Sequence, residues 1–388
     1  MERIKVYLLF ISLMCLRPAA FGGDFTILGI SCCLLCLYIY FLQNSLKRVF
    51  QFRKNYLLII VLVCTYWVYI MLQATLTSSP IASSDILKGA ITGVITIISF
   101  AIMISDEGIR YKLFRLFIQM MIFLCASYIV TLTISILTPI EKLKIFSFIT
   151  DDVNYRSVYF PFTPIYGVMT VQGHVFQRFL GIFRESGISQ AFMIWAIMSL
   201  NKYGLGFKRN TILLLGGIIG TLSTAGIAVY MGTIAVRMIL NKRYIIPIIV
   251  FPFVYYLIMY APYIGISNKM VTHSTSITDR TGAMSFSMRM FTQHVFGIGV
   301  GNSPIETNGG INLIASLHMI GIIGLVIVLL IYTLPIVIAS DKKSYILGIL
   351  PLFITALFSE PIYDSPIMFI MILVCLHESR KAPFYLET

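Results

Sequence analysis

The charges of this 388-residue chain are spaced so that about twelve apolar stretches lie between them. Most are near the ~20 residues that a helix needs to cross ~30 Å of hydrocarbon. In that medium the backbone must satisfy its own hydrogen bonds, so repeated stretches of this length fold as a helical bundle. Composition agrees: 58% of residues are hydrophobic and 12% charged, against about 25% charged in a soluble domain. A soluble enzyme is excluded. The expected fold is an all-α polytopic membrane protein, one integral membrane domain over residues 1–388.

Hydropathy read with a helical window places spans near 4–21, 25–43, 56–76, 86–105, 116–138, 187–200, 211–222, 225–240, 244–261, 311–333, 344–360 and 366–377. Cations mark every second connection: Arg3 and Lys5; Lys47, Arg48, Arg53 and Lys54; Arg110, Lys112 and Arg115; Lys202, Lys208 and Arg209; Lys242 and Arg243; Lys342 and Lys343; Arg380 and Lys381. The short connections 22–24, 77–85, 223–224 and 361–365 hold none. The positive-inside bias then makes both termini cytoplasmic. The excess of 29 Lys plus Arg over 16 acids is read as orientation in the bilayer, with no nucleic-acid partner. Met1 to Gly23 has the outline of a signal peptide but is read as an uncleaved first span, because everything downstream needs a membrane. In 211–240 two spans share thirty residues, which fits a half-helix turning at Ser223-Thr224-Ala225-Gly226.

Two connections remain, 139–186 and 262–310. Parity puts both on the outer side, and they far exceed the usual 2–8 residues between bundle helices. Long loops on a compact scaffold carry function. The seven cysteines all fall in apolar stretches; Cys33-x-x-Cys36 has no second pair and is read as small core residues, with no disulfide and no metal. No internal repeat is visible, and the spans hold almost no acid beyond Glu360 and few bases (Arg17, Lys88, Arg237). A transporter or flippase built on repeats and buried ionisable residues is therefore the weaker reading.

The densest polar cluster is Gln177-Arg178-Phe179-Leu180-Gly181-Ile182-Phe183-Arg184-Glu185-Ser186, where the first long loop returns to the membrane. As a helix it would set Arg178, Gly181 and Glu185 on one face, with Arg184 turned about 100° away. By pattern alone it reads either as interface anchors with an Arg178–Glu185 ion pair or as a site. Asp151-Asp152 lacks a third carboxylate or a His at ligand spacing and is read as solvated loop. The aromatic run from Tyr155 to Tyr166 fits sugar stacking and an interfacial belt equally. His294 and His318 are read as interfacial and packing residues.

Arg178-x-x-Gly181-x-Phe183-x-Glu185 resembles a signature of the bacterial O-antigen polymerases (Wzy-type), which is close to that of the O-antigen ligases. Thr221-Leu222-Ser223-Thr224-Ala225-Gly226 resembles their Thr-x-Ser-x-x-Gly turn. Arg280 followed by Phe296-Gly297-Ile298-Gly299-Val300-Gly301-Asn302, and then Gly321-Ile322-Ile323-Gly324, are similar to further family motifs. The resemblance runs over roughly residues 175–330. Ser186 stands where the family often has Pro, and Thr307-Asn308-Gly309-Gly310-Ile311 lacks the His of the ligases, which favours polymerase over ligase.

The resemblance implies a GT-C-like bundle in a bacterial inner membrane, active on the periplasmic face. It implies transfer of a growing glycan from undecaprenyl diphosphate to the next lipid-linked repeat unit. It also implies a flippase and a chain-length regulator as membrane partners, and no cofactor. Such a step needs a base for the hydroxyl proton and cations for the departing diphosphate. Glu185, Arg178 and Arg280 are the catalytic residues so implied; Arg184, Arg289, Ser223, Gly299 and Asn302 are the substrate-binding ones. Arg178 and Arg280 lie on different long loops, so the two loops are expected to fold over one outer cleft.

Overall fold

The structure, a computed structural model, describes residues 2–47, 52–77, 83–149, 155–171, 174–260, 265, 274–302 and 312–377. It is mostly helical, and a helix occupies each of the twelve apolar stretches. These are α1 (Glu2–Met14), α2 (Thr26–Lys47), α3 (Lys54–Leu76), α4 (Ser83–Ile104), α5 (Glu107–Ser135), α6 (Ser186–Ser199), α7 (Phe207–Gly220), α8 (Thr224–Leu240) and α9 (Ile245–Tyr260). After α10 (Ser274–Gln293) come α11 (Leu317–Thr333), the short α12 (Pro335–Ile338), α13 (Lys342–Phe358) and α14 (Pro366–Cys375). By length and composition α2, α3, α4, α5 and the α11–α12 run are long and apolar enough to cross a membrane.

Two of the shorter helices are enclosed by the others. α14 has 10 residues, about 15 Å of helix, and from Ile367 to Cys375 every residue is buried. In α6 nearly all 14 residues are buried as well. Helices apolar on every face belong inside a bundle. α6 packs on α7 and α13, while α14 packs on α3, α4 and α13. The outer helices carry the opposite pattern: on α9, Ile245, Ile248, Ile249 and Phe251 are exposed, the surface expected against lipid.

The two ends of the bundle differ in charge. At one end Lys112 pairs with Glu2 at 3.0 Å, Arg53 Nη1 meets His377 Nδ1, and Lys202 Nζ donates to the His377 carbonyl at 2.7 Å. The start of α1, the connections before α3 and α5, the end of α6 and the end of α14 are thereby gathered together. These adjoin five of the seven basic connections of the sequence. The end of α1 and the starts of α2, α4, α6 and α14 lie at the other end.

The all-α expectation needs one correction, because the first long loop folds as a sheet. Strands β1 (Lys144–Ile149), β2 (Tyr155–Tyr159), β3 (Thr163–Val171) and β4 (His174–Phe179) form an antiparallel meander in the order β1-β2-β3-β4. It docks on the last turns of α5 through hydroxyls. Thr163 Oγ1 lies 2.7 Å from both Ser127 Oγ and Thr131 Oγ1, and the Phe162 N–H donates to Ser127 Oγ at 2.9 Å. Tyr128 of α5 stacks on Phe179 of β4 with ring centroids 4.9 Å apart. At the β2–β3 turn Phe160 and Phe162 are half exposed, which leaves both aromatic readings standing. Asp151-Asp152 and Thr307–Ile311 lie outside the described residues.

The helical reading of Arg178–Glu185 is also overturned. Arg178 belongs to β4, Gly181 has φ 64°, and α6 begins at Ser186. In 211–240 the chain forms α7 and α8, joined at Thr221–Ser223 with Leu222 at φ 52°. The second long loop contributes α10, which packs on α11.

The charge alternation gives a labelling test. Six of the seven native thiols are buried, so their background is low. Cysteines placed at the exposed positions Lys142 and Thr292 should react with an impermeant maleimide in intact spheroplasts. Lys208→Cys, at the basic end, should react only after permeabilisation. The reverse pattern would invert the topology.

Candidate functional site: a charged cavity between helix ends

Where α1 ends, the chain pairs with the segment that leads into α6. The Ala20 N–H donates to the Ile182 carbonyl at 2.8 Å, the Arg184 N–H donates to the Pro18 carbonyl at 3.1 Å, and Ala19 bridges Phe183 in antiparallel fashion. Alternate side chains of a strand-like pair point opposite ways. Phe183 turns inward, fully buried and stacked on Phe192 at 4.3 Å between ring centroids. Arg184 turns to a cavity of ≈ 980 Å³ whose wall also holds Arg17, Lys88, Glu185, Asp85 and Asp364. Ile27, Ile30, Ile91 and Trp67 make its apolar side.

Glu185 is the N-cap residue of α6, extended at φ −136°, ψ 152°, and makes no side-chain cap bond to that helix. Its carboxylate is thus not used on the helix it begins. Lys88 pairs with Asp85 at 2.9 Å as a solvent-facing i,i+3 pair. Asp364 accepts a 3.0 Å hydrogen bond from the Tyr66 hydroxyl. Burial pushes the Asp364 carboxyl above the usual carboxylate range, and the Tyr66 bond brings it part of the way back.

The signature arginine lies behind this wall. Arg178 Nη2 donates to Ser186 Oγ at 2.5 Å and its Nε donates to the Thr221 carbonyl at 3.3 Å. Thr221 Oγ1 in turn donates to Gln190 Oε1 at 3.3 Å. A Cβ at Gly226 would collide with Gln190, and one at Gly187 would collide with the buried Glu360 carboxylate. The first and second motifs therefore meet around the opening turn of α6. Arg178 is absent from the lining of the cavity, whereas Arg184 and Glu185 are on it. Ser223 is the N-cap residue of α8 and makes no side-chain cap bond there.

The glycine motif of the second loop forms a joint with α3 and α11. Ile298 and Gly299 N–H groups donate to the His318 and Met319 carbonyls at 2.8 and 3.2 Å. Gln73 Nε2 donates to Phe296 and Met319 carbonyls at 2.9 and 2.8 Å. Asn302 Nδ2 donates to the carbonyls of Thr77 at 3.2 Å and Ile298 at 2.7 Å. Gly299 has φ 91°, and a Cβ there would collide with Thr77 Oγ1. His318 is buried against Phe286 and Ser287, the latter 3.0 Å from its Nδ1, and His294 is exposed. Arg289 is exposed, its guanidinium 5.9 Å from the Phe286 ring centre. Arg280 is part of α10, and its side chain lies outside the described residues. The expected meeting of Arg178 and Arg280 in one cleft thus falls beyond what is described.

Of the eight sequence-predicted residues, Arg184 and Glu185 line the cavity. Sequence reasoning missed Arg17, Lys88 and Asp364. By hydropathy Arg17 and Lys88 fall within spans, and Asp364 sits in a short connection with no motif around it. The available signal was their place at helix ends of one polarity. No protein-family model matches the chain, and comparison with curated proteins and with solved structures gives no match.

The glycine joint makes a stability prediction. Gly299→Ala combines a left-handed backbone, costing about 1–2 kcal/mol for an L side chain, with the Thr77 collision. Its thermal midpoint in detergent should fall by several degrees. Gly206→Ala, with open space around the new Cβ, should melt as the parent does. Equal midpoints would show that the loop is not seated on α3.

Proposed function

We propose that the chain is a polysaccharide polymerase of the bacterial inner membrane. In this reading it spans the membrane twelve times in a GT-C-like bundle, and the cavity opens on the periplasmic face. The observation that supports this best is the cavity itself, where Arg17, Arg184 and Lys88 share one wall with Glu185 and Asp364 beside an apolar side. A lipid-linked sugar diphosphate has those two halves, a multiply charged head and a hydrocarbon tail.

In the reaction an acceptor hydroxyl of the next lipid-linked repeat attacks the anomeric carbon of the growing chain. The bond from that carbon to the diphosphate oxygen breaks, undecaprenyl diphosphate leaves, and a carboxylate takes the hydroxyl proton. Glu185 is the carboxylate on the signature motif, and Asp364 stands on the same wall. Arg17 and Arg184 suit the departing diphosphate, because a guanidinium binds two phosphate oxygens at once and keeps its charge. Arg178 holds the start of α6, and with it Glu185, through Ser186 and Thr221. Arg280 and Arg289 on α10 bring further cations to the outer face in this topology.

Deleting the gene should leave single repeat units on the cell's acceptor, since flipping and ligation continue without extension. Loss of even the one-repeat form would instead indicate a flippase or a ligase. In the deletion strain, Glu185→Gln and Arg184→Lys should each reduce polymer by about 100- to 1,000-fold, the usual cost of losing one oriented transition-state interaction. Lys142→Ala should restore the full ladder. Full-length polymer from Glu185→Gln and Arg184→Lys at normal membrane level would refute the site.

A further inference from the structure

Trp67 of α3 is the one aromatic side chain among the described residues that line the cavity. Its indole lies against α4 where Gly89 and Gly93 share a face. A Cβ at Gly89 would come to 3.2 Å from Trp67 Cη2, and one at Gly93 to 2.7 Å from its Nε1. Tyr66 braces the ring from its own helix, edge to face at 5.6 Å between centroids. The same tyrosine, itself buried, links the indole to a carboxylate, because its hydroxyl donates to Asp364 Oδ2 at 3.0 Å. The backbone around Asp364 is tied on both sides: the Tyr332 hydroxyl donates to the Tyr363 carbonyl at 2.8 Å, and Ser365 Oγ donates to the Ile362 carbonyl at 3.0 Å. Tyr332 and Tyr363 also lie within electrostatic reach of the carboxylate, and Arg17, Arg184, Lys88, Asp85 and Glu185 share its wall.

A fixed indole beside a fixed carboxylate suits a sugar ring, whose C–H face packs on an aromatic plane while its hydroxyls donate to charged oxygens. Burial holds the Asp364 carboxyl above the ordinary carboxylate range. That brings it nearer the working pH, where a base accepts a proton most effectively. We propose that Trp67 and Asp364 form the subsite for the acceptor sugar, whose ring packs on the indole and whose attacking hydroxyl gives its proton to Asp364. The deprotonated oxygen bonds to the donor's anomeric carbon as the bond from that carbon to the diphosphate breaks. Tyr66 is the positioning residue, since it holds the carboxylate and braces the indole. The inference rests on the transferase reading and assigns the proton to Asp364 rather than to Glu185.

Binding is tested on the full-length protein in a neutral detergent, with the repeat-unit saccharide released by mild acid from the source strain's own lipid-linked intermediate. The chain has two tryptophans, and Trp195 is buried in the aromatic core against Phe114 and Phe117. A saturable change in tryptophan emission is expected from the parent and none from Trp67→Phe. Gly93→Ala, which pushes the indole from its seat, should raise the half-saturating concentration about tenfold. Turnover is followed on the lipid-linked repeat unit. Asp364→Asn should bind the saccharide as the parent does while losing about 100- to 10,000-fold in rate. Tyr66→Phe removes a hydrogen bond that favours the ionised carboxylate, so the acid limb of kcat/KM should move to higher pH. The subsite is overturned if the saccharide leaves the parent's emission unchanged, or if Gly93→Ala binds like the parent. Parental turnover from Asp364→Asn, or an unmoved acid limb in Tyr66→Phe, overturns the role of Asp364 and leaves the transferase reading standing. A parent that binds the saccharide yet forms no oligomer contradicts that reading, and the role of Asp364 with it.

Discussion

The geometry of the cavity depends on a short backbone pairing between the end of α1 and the residues that lead into α6. Two hydrogen bonds and one bridge tie Pro18–Ala20 to Ile182–Arg184. In hydrocarbon, irregular backbone survives only where protein or water satisfies it, so this pairing is what lets two non-helical segments sit against the bundle. Its alternation sends Phe183 into the aromatic core and Arg184 to the cavity, and it carries Arg17 to the same wall. A second layer steadies the start of α6, with Arg178 bonded to Ser186 and the Thr221 carbonyl and Gln190 pressed against Gly226. The signature residues are thereby divided between those that face the cavity and those that hold the helix behind it.

The helical part of this fold was legible because hydropathy and charge report directly on the solvent around each residue. All twelve apolar stretches carry helices, and cationic segments before α3 and α5 and after α6 meet the ends of α1 and α14 at one end of the bundle. The sheet was not legible. Its strands are short, Ile145 and Phe146 of β1 are half exposed, and its docking rests on Ser127, Thr131 and Thr163, hydroxyl residues that carry no periodic signal. The Arg178–Glu185 segment misled for a related reason: its i, i+3, i+7 spacing fits a helix, but Gly181 takes a left-handed conformation that ends the strand.

The candidate site was partly legible. A local motif located Arg184 and Glu185, because they adjoin in sequence. Arg17, Lys88 and Asp364 reach the wall from three other helix ends, and no local pattern records a contact over hundreds of residues. The resemblance makes the glycine motif a contact for substrate; its bonds to α3 and α11 give it a mechanical role besides, since Gly299 fits only without a Cβ beside Thr77. The chemistry expected of the site needs a charged head, an apolar wall and a carboxylate together, and these meet where α1, α2, α4, α6 and α14 end or begin.

The most direct measurement is made on purified protein with one synthetic undecaprenyl-diphosphate-linked repeat unit as both donor and acceptor. Lipid-linked oligomers and free undecaprenyl diphosphate are quantified together by mass spectrometry. A polymerase releases one undecaprenyl diphosphate for each new glycosidic bond, and dimers appear before longer chains. Absence of oligomers from well-folded protein, or release of the lipid with the sugar passing to water alone, would contradict the account.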